Sequence, residues 1–330
     1  MKKSNCFCYR ILPIALCAAM LGGCGASAAS SSAMESAVFT DSAPLKVMVS
    51  FYQMYDSSMP DSITEMLSGP MKLVMSLMGG SSKPKPGCEI KTQYCTAIPI
   101  GTGLAQSFDL TFVEQCGDIV GEEMERFGVH LWLAPALNIH RSIRCGRNFE
   151  YYSEDPLVSG KMAAAMTRGV QAHKGCGTTI KHYAANNKEY NRYRNNSIVS
   201  ERAMREIYLK GFGICVREAQ PKAVMTSYNL LNGTHTAESR GLIMDILRAE
   251  FGYEGIVMTD WVTPMADARS AHRDSQAQYV AAAGGDLFMP GNKGDYDNLL
   301  QGIDSGAVTL EQVKINASRV VRTVRALAQE

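Results

Sequence analysis

The sequence lacks the features that mark metal sites and nucleic-acid binding. Its ten cysteines include no C-x-x-C pair and no cluster of metal-ligating side chains stands out, so we predict no metal and no other cofactor. Its 33 Lys and Arg balance 32 Asp and Glu, so no nucleic-acid partner is expected. The 19 methionines are scattered along the chain and are interpreted as core residues.

Long hydrophobic runs are also missing. A lysine pair at positions 2 and 3 precedes an apolar stretch, 11–21, that is too short to cross a bilayer and is typical of a targeting segment. The stretch runs into Leu-Gly-Gly-Cys ending at Cys24, which resembles the lipobox of bacterial lipoproteins. This resemblance predicts a lipidated Cys24 and an extracytoplasmic, membrane-anchored protein. The alternative is an ordinary secretory signal cut near positions 26–29, which would give a secreted protein.

Composition divides the chain into three parts. Residues 1–24 are the predicted lipoprotein-type signal peptide, and residues 25–92 are a Ser/Ala-rich tether followed by a segment without a clear assignment. In residues 93–330, strand-like runs alternate with helices roughly every 30–45 residues, which is typical of βα units and a parallel sheet. We therefore predict an α/β fold, a TIM-like (β/α)8 barrel. Gly101-Thr102-Gly103 lacks the third glycine of a dinucleotide fingerprint and predicts no nucleotide cofactor.

The hydrophobic patterns place the individual elements. The predicted strands are 130–135, 178–180, 223–226, 255–259 and 285–290. The predicted helices are 108–127, 160–173, 200–219, 242–251, 279–283 and 310–328.

Polar and aromatic side chains follow the carboxyl ends of the predicted strands. Strand 255–259, for example, runs directly into Asp260 and Trp261. In a barrel these ends share one rim, so side chains that are distant in sequence are expected to converge on one pocket. Asp260 alone has another interpretation, since Asp is also a good helix N-cap. The residues at strand ends are Arg147, Glu150, Lys181, His182, Tyr228, Asp260 and Trp261.

Four motifs together resemble the catalytic barrel of glycoside hydrolase family 3, and most closely its β-glucosidase-type members. They occur in the family's order and at compatible spacings, and the resemblance covers the chain from about Gln93 onward. The motifs are Gly146–Pro156 (GRNFEYYSEDP), Lys181–Asn187 (KHYAANN), Met225–Asn229 (MTSYN) and Met258–Trp261 (MTDW).

The resemblance implies hydrolysis of terminal β-linked glucosyl residues by a retaining mechanism. Asp260 would be the nucleophile, and a separate carboxylic acid would protonate the leaving oxygen. Arg147, Lys181 and His182 would bind sugar hydroxyls. Each has a structural alternative, because Arg147 and Glu150 could form an ion pair and Lys181–His182 could be a solvated loop end. The remaining implied substrate-binding residues are Met225, Tyr228 and Trp261.

The sequence departs from the family pattern in two places. The Asp-Gly-Pro element that usually begins the barrel is replaced by Ser68-Gly69-Pro70, so we expect a first βα unit that is absent or rebuilt. The acid is also unassigned: family members place it on a second domain, which we do not expect here, or on a barrel loop. The local candidates are His182 and Glu189, and the alternative is a second chain that supplies the acid.

Two further interpretations stay open. The chain could be a surface lipoprotein that binds sugars without turnover, or a gene fragment that folds poorly. The intact nucleophile motif favours the enzyme.

Overall fold

The computed structural model describes residues 47–48, 95–190, 192, 195–261 and 273–329. Contacts divide the chain into two compact units, and almost all described residues belong to the larger one, Pro13–Met48 with Ala97–Glu330. The predictions for Cys24, for the Ser/Ala-rich tether at 25–45 and for Ser68–Pro70 lie outside the described residues.

Parallel strands alternate with helices along the described chain. The strands are β1 (Val47–Met48), β2 (Leu131–Trp132), β3 (Gly177–Tyr183), β4 (Asn196–Ser197), β5 (Ala223–Thr226), β6 (Leu230–Leu231), β7 (Thr234–His235) and β8 (Ile256–Met258). The helices are α1 (Gly101–Gln106), α2 (Leu110–Phe127), α3 (Pro156–Gln171), α4 (Glu201–Ala203), α5 (Lys210–Ala219), α6 (Ala277–Ala282), α7 (Lys293–Asp304) and α8 (Leu310–Gln329). The described chain also contains two π-helical segments, Met204–Tyr208 and Gly241–Glu250, and two 3₁₀ turns, Asn148–Glu150 and Thr236–Glu238.

The main sheet has five strands in the order β1-β2-β3-β5-β8, and every neighbouring pair is parallel. All residues of β3, β5 and β8 are buried, as expected for strands covered on both faces. An isolated parallel bridge from Met258 to Leu287 continues the sheet beyond β8, where a full strand was predicted. Because all these strands are parallel, their carboxyl ends lie along one edge. The first βα unit was expected to be absent or rebuilt in the N-terminal segment, residues 25–92. Within that segment the structure describes β1, which pairs in parallel with β2.

Helix α3 packs between α2 and α5 and also contacts β3, and apolar side chains of these helices and of the sheet share one core. Asp109 caps α2 by accepting from the backbone N–H groups of Thr111 and Phe112, and Gly128 ends it in the left-handed conformation, φ 62°. Contact between α2 and α3 is close because both carry glycine at the crossing. A Cβ on Gly169 would lie 2.0 Å from the Glu114 carbonyl oxygen. Backbone packing at this distance excludes any larger residue.

A second, smaller sheet lies beside the strand ends. Its order is β4-β6-β7, with β4 parallel to β6 and β6 antiparallel to β7. β6 and β7 form a hairpin whose two-residue turn is Asn232-Gly233, with positive φ at both positions, 50° and 89°. This is the turn that Asn-Gly favours in hairpins. The sequence analysis did not predict this hairpin, its neighbour β4, or the helices α1 and α7.

A buried ion cluster holds β8 in place. Asp286 is 2% exposed and accepts from Arg248 at 2.6 Å, from Arg319 at 3.1 Å and from the Val257 backbone N–H at 2.8 Å. Arg319 belongs to α8, so one carboxylate connects β8, the π-helical segment Gly241–Glu250 and the last helix. We call Arg248, Asp286 and Arg319 the β8 clasp.

Replacing Asp286 by alanine should lower the free energy of unfolding by about 3–5 kcal/mol, because two buried arginines would lose their counter-ion. Denaturant unfolding monitored by circular dichroism measures the loss. The matched control is Asp297→Ala, which breaks the exposed ion pair between Lys293 and Asp297. That change should cost no more than about 1 kcal/mol. Equal losses for the two variants would contradict the role of the clasp.

Most predicted elements are confirmed within a few residues. The strand predicted at 223–226 is β5, with the same bounds. The helix predicted at 310–328 is α8, which ends one residue later, at Gln329. Helix 200–219 was predicted as one element but is divided by a π turn at Met204–Tyr208. Among the described cysteines, Cys116, Cys145, Cys176 and Cys215 are free thiols. No helix in the described ranges has the length and apolar character of a membrane span.

Candidate active site

The predicted site residues lie where four neighbouring parallel strands end. Arg147 is in the long loop after β2, directly before the 3₁₀ turn Asn148–Glu150. Lys181 and His182 lie near the carboxyl end of β3, just before its last residue, Tyr183. Met225 belongs to β5, Tyr228 follows it, and Asp260 and Trp261 follow β8. The topology therefore brings them to one edge of the sheet, as the sequence predicted.

Glu150 connects two of the predicted cations. One carboxylate oxygen accepts a hydrogen bond from Arg147 Nε, and the other lies 3.9 Å from Lys181 Nζ. The structural ion pair considered for Arg147 and Glu150 is therefore present, and it is built into the site. Burial acts most strongly and lowers the pKa of Arg147, but Glu150, Tyr151 and Asp260 together outweigh it, so the pKa is raised. Arg147 is a permanent cation beside the strand ends.

Asp260 presents one unpaired oxygen. Its Oδ1 accepts from the Trp261 backbone N–H at 2.7 Å. Its Oδ2 is buried and has no hydrogen-bond partner among the described residues, and His182 Nε2 lies 3.8 Å away. Buried polar atoms are almost always hydrogen-bonded, so an exception at the edge of a sheet indicates a place for a ligand. The other role considered for Asp260, as a helix cap, concerns residues 262–272, which lie outside the described ranges.

Opposing effects act on the charge of Asp260. Burial raises the pKa of its carboxyl, while the Trp261 N–H and the charges of Arg147, Lys181 and Arg192 lower it. The net pKa is raised. The cations therefore offset only part of the desolvation cost, and no Lys or Arg in the described ranges forms a direct ion pair with the Asp260 carboxylate.

Lys181 is a strongly perturbed cation at this edge. Its side chain is only 5% exposed. Burial lowers its pKa to about 8, with Arg147 acting in the same direction and Glu150 and Asp260 in the opposite one. A lysine with this pKa loses its charge within an accessible pH range, so any function that needs the cation should depend on pH near 8.

His182 is buried and neutral. Burial lowers its pKa well below the ordinary value, and the neighbouring charges of Arg147, Lys181 and Arg192 add to the effect. Its ring packs edge-on against Tyr151, with centroids 6.3 Å apart. It is not a solvated loop end.

The apolar members of the set take different positions. Met225 is 3% exposed and pairs in register with Met258 of β8, so it is part of the barrel interior below the site. Tyr228 is half-buried and Arg192 lies over its ring, 4.7 Å from the centroid. Trp261 is half-buried, and its indole Nε1 is a second buried polar atom without a partner among the described residues.

Two residues at this edge were missed by the sequence analysis. Arg192 contacts Tyr228 and lowers the pKa of Asp260, but its surroundings in the sequence, a polar run from 187 to 196, gave no signal. Asn138 forms three contacts with His182. It lies at the start of a polar loop and resembles many other loop asparagines.

The two local candidates for the acid have other roles in this geometry. Glu189 accepts from Arg192 at 2.8 Å and from Asn186 Nδ2 at 3.1 Å, so its carboxylate is committed to an ion pair. His182 is neutral, with one ring nitrogen against Asn138. Neither is arranged as a proton donor to a leaving group. In the described ranges no group of three or more His, Cys, Asp and Glu side chains is placed to hold a metal ion.

Comparison with known families decides the assignment. The model of the glycosyl hydrolase family 3 N-terminal domain matches residues 85–323. The chain belongs to this family. The predicted membership of glycoside hydrolase family 3 is thereby confirmed, and with it the α/β barrel fold class, which is that of the family's N-terminal domain.

Named relatives point the same way. The chain is 51% identical over 166 residues to β-glucosidase A of Butyrivibrio fibrisolvens, covering 50% of this chain and 20% of the relative. It is 41% identical over 234 residues to β-glucosidase B of Emericella nidulans, covering 70% and 26%. The solved β-glucosidase 3B of Thermotoga neapolitana in complex with glucose superimposes with a TM-score of 0.65 at 38% identity, covering 71% and 33%. This family 3 chain thus spans about a fifth to a third of the lengths of these proteins.

Proposed function

We propose that the chain forms the nucleophile half of a retaining β-glucosidase. The observation that carries the proposal is the buried, unpartnered Oδ2 of Asp260, which lies 3.8 Å from His182 Nε2 at the rim where Lys181 and Arg147 meet Glu150. A carboxylate oxygen kept free of hydrogen bonds is available to attack carbon. The β-glucosidase names of the relatives give the substrate class.

The mechanism follows from what each group can do. Asp260 Oδ2 attacks the anomeric carbon, the bond to the leaving oxygen breaks, and a glycosyl ester forms. Water then cleaves this ester and releases the sugar with its configuration retained. Arg147 and Lys181 donate charged hydrogen bonds to sugar hydroxyls, and their charges favour the ionised form of Asp260. Tyr228 and Trp261 border the ring of the bound sugar.

The leaving oxygen needs a proton, and we propose that a second chain or domain supplies it. His182 and Glu189 are engaged elsewhere, as described above. General acid assistance contributes about 10²–10⁴-fold, so the chain alone should act slowly on ordinary glucosides and faster on those with activated leaving groups.

The test is a probe that needs the nucleophile but scarcely needs the acid. The soluble chain is incubated with 2,4-dinitrophenyl 2-deoxy-2-fluoro-β-glucoside, and its intact mass is recorded. We expect a gain of one fluoroglucosyl group. A chain that melts cooperatively and binds glucose but gains no mass would support the sugar-binding lipoprotein instead. A chain that shows no cooperative melt would support the fragment.

We further propose that Cys24 is lipidated and anchors the protein on the outer side of a bacterial membrane, on the strength of its lipobox-like context. Expression of the full chain in a bacterial host with radiolabelled palmitate should give a labelled protein in the membrane fraction. Cys24→Ser should abolish the label, and Cys17→Ser, in the same leader, should keep it. An unlabelled protein whose N-terminus lies at 26–29 would contradict the anchor and support secretion.

A further inference from the structure

The side chain of Asn138 is paired with the backbone of His182. Asn138 is 2% exposed. Its Nδ2 donates to the His182 carbonyl at 2.8 Å, and its Oδ1 accepts from the His182 N–H at 2.9 Å. A carbonyl can only accept and an N–H can only donate, so these two contacts fix which way the Asn138 amide faces.

This fixed amide determines where the imidazole proton is. Asn138 Oδ1 also lies 3.2 Å from His182 Nδ1. Because Oδ1 can only accept, Nδ1 must carry hydrogen, and in a neutral ring Nε2 then carries none. The bare Nε2 is the nitrogen that lies 3.8 Å from Asp260 Oδ2. Two acceptors therefore face each other with no hydrogen between them.

The surroundings keep the ring neutral. His182 is 1% exposed, and the charges that act on it from neighbouring elements are those of Arg147, Lys181 and Arg192. These three positive charges disfavour a proton on Nε2. The anion that faces Nε2 is Asp260. With the opposite tautomer, Nε2–H would be directed toward Asp260 and would occupy the oxygen that the proposed reaction needs.

We propose that Asn138 is a positioning residue: it holds His182 in the Nδ1–H tautomer, so that Nε2 accepts hydrogen from a substrate hydroxyl and Asp260 keeps a free oxygen. The catalytic consequence rests on the proposed function, whereas the tautomer does not. The group that binds against His182 Nε2 must then be a hydrogen donor, which a sugar hydroxyl is and an ether is not. Asn138 thereby contributes to specificity without touching the substrate.

The tautomer can be measured without any substrate. Protein labelled with ¹⁵N-histidine, with the His182 signal assigned by its loss in His182→Gln, gives long-range ¹H–¹⁵N patterns that distinguish the two neutral tautomers and the imidazolium. We expect the Nδ1–H pattern at every pH between about 6 and 8. An Nε2–H pattern or an imidazolium in this range would overturn the proposal, even if the fluoroglucoside labels Asp260.

Asn138→Asp tests whether Asn138 is responsible. The new carboxylate keeps the acceptor at Nδ1 but stabilises the imidazolium, whose Nε2–H would pair with Asp260. We expect an imidazolium pattern at pH 6 and labelling by the fluoroglucoside that is on the order of tenfold to a hundredfold slower, with recovery as the pH is raised and the ring loses its proton. A loss through misfolding would not recover with pH.

The matched control is Asn187→Asp, a buried asparagine whose Nδ2 donates to the Ile139 carbonyl. It should leave the His182 signal and the shape of the pH profile as in the unaltered chain. An unchanged His182 signal in Asn138→Asp, or the same change in both variants, would overturn the assignment to Asn138.

Discussion

Replacing Asp260 by asparagine should reduce labelling by the activated fluoroglucoside by roughly 10³-fold or more, because the amide cannot form the glycosyl ester. Intact mass spectrometry measures the labelled fraction over time, and peptide mapping of the unaltered chain should place the label on Asp260. The matched control is Asp297→Asn, an exposed Asp on α7 that should label at the normal rate.

The same substitution should leave the fold intact or stabilise it. Burial raises the pKa of Asp260, so the ionised form disfavours the folded state, and the cost appears as the pH rises above the pKa of the unfolded carboxyl. Asparagine removes this cost, so the melting temperature at neutral pH should be equal or higher. Labelling that persists in Asp260→Asn would place the nucleophile elsewhere, and a loss of cooperative melting would make Asp260 a structural residue.

Lys181→Met should slow labelling on the order of tenfold to a hundredfold, the effect of losing a hydrogen bond from a charged group. The pH profile separates this role from a packing role. Because the pKa of Lys181 is lowered to about 8, labelling by the unaltered chain should fall as the pH is raised through that value, and the fall should be absent in Lys181→Met. The matched control is Lys161→Met, which removes an ion pair with Glu218. The Lys161 side chain is about 40% exposed.

Stability should show the opposite pH dependence. The folded pKa of Lys181 is below its ordinary value of 10.5, so between about 8 and 10.5 the unfolded chain binds more protons than the folded one. The free energy of unfolding should therefore gain a rising component across this window, and Lys181→Met should remove it. A profile that is identical in the two proteins would contradict the low pKa.

The periodic part of the fold could be predicted because local pattern and burial agree there. Strands such as 223–226 are short apolar runs ended by polar residues, and α2 has a capping Asp109 and a terminal Gly128. The π turn at Met204–Tyr208 could not be predicted, since a helical pattern does not distinguish i+4 from i+5 hydrogen bonds. Strand 285–290 was overestimated because Gly284 and Gly285 place a turn there, and only one bridge forms.

At the site, the sequence indicated which side chains converge but not how they are paired. Asp260, Lys181 and His182 could be named because each follows a run that was predicted as an apolar strand, although Lys181 and His182 lie within β3 itself. Arg192 and Asn138 lie in polar loops, and their contacts with Tyr228 and His182 depend on the way the loops fold back. The role of Glu189 was not predictable either. Glu189 and Arg192 are three residues apart in a loop, and whether they form an ion pair depends on the conformation of that loop.

The β8 clasp has a consequence for the order in which the protein forms during synthesis. Asp286 and Arg319 leave the ribosome 26 and 59 residues after Asp260, and both are needed to fix the strand that carries it. At about 5–20 residues per second, the nascent chain carries Asp260 for several seconds before its anchor exists. The charged residues at the strand ends should therefore come together late in translation. A ribosome stalled near residue 300 should carry a nascent chain that contains Asp260 but in which the site around Asp260 has not yet formed.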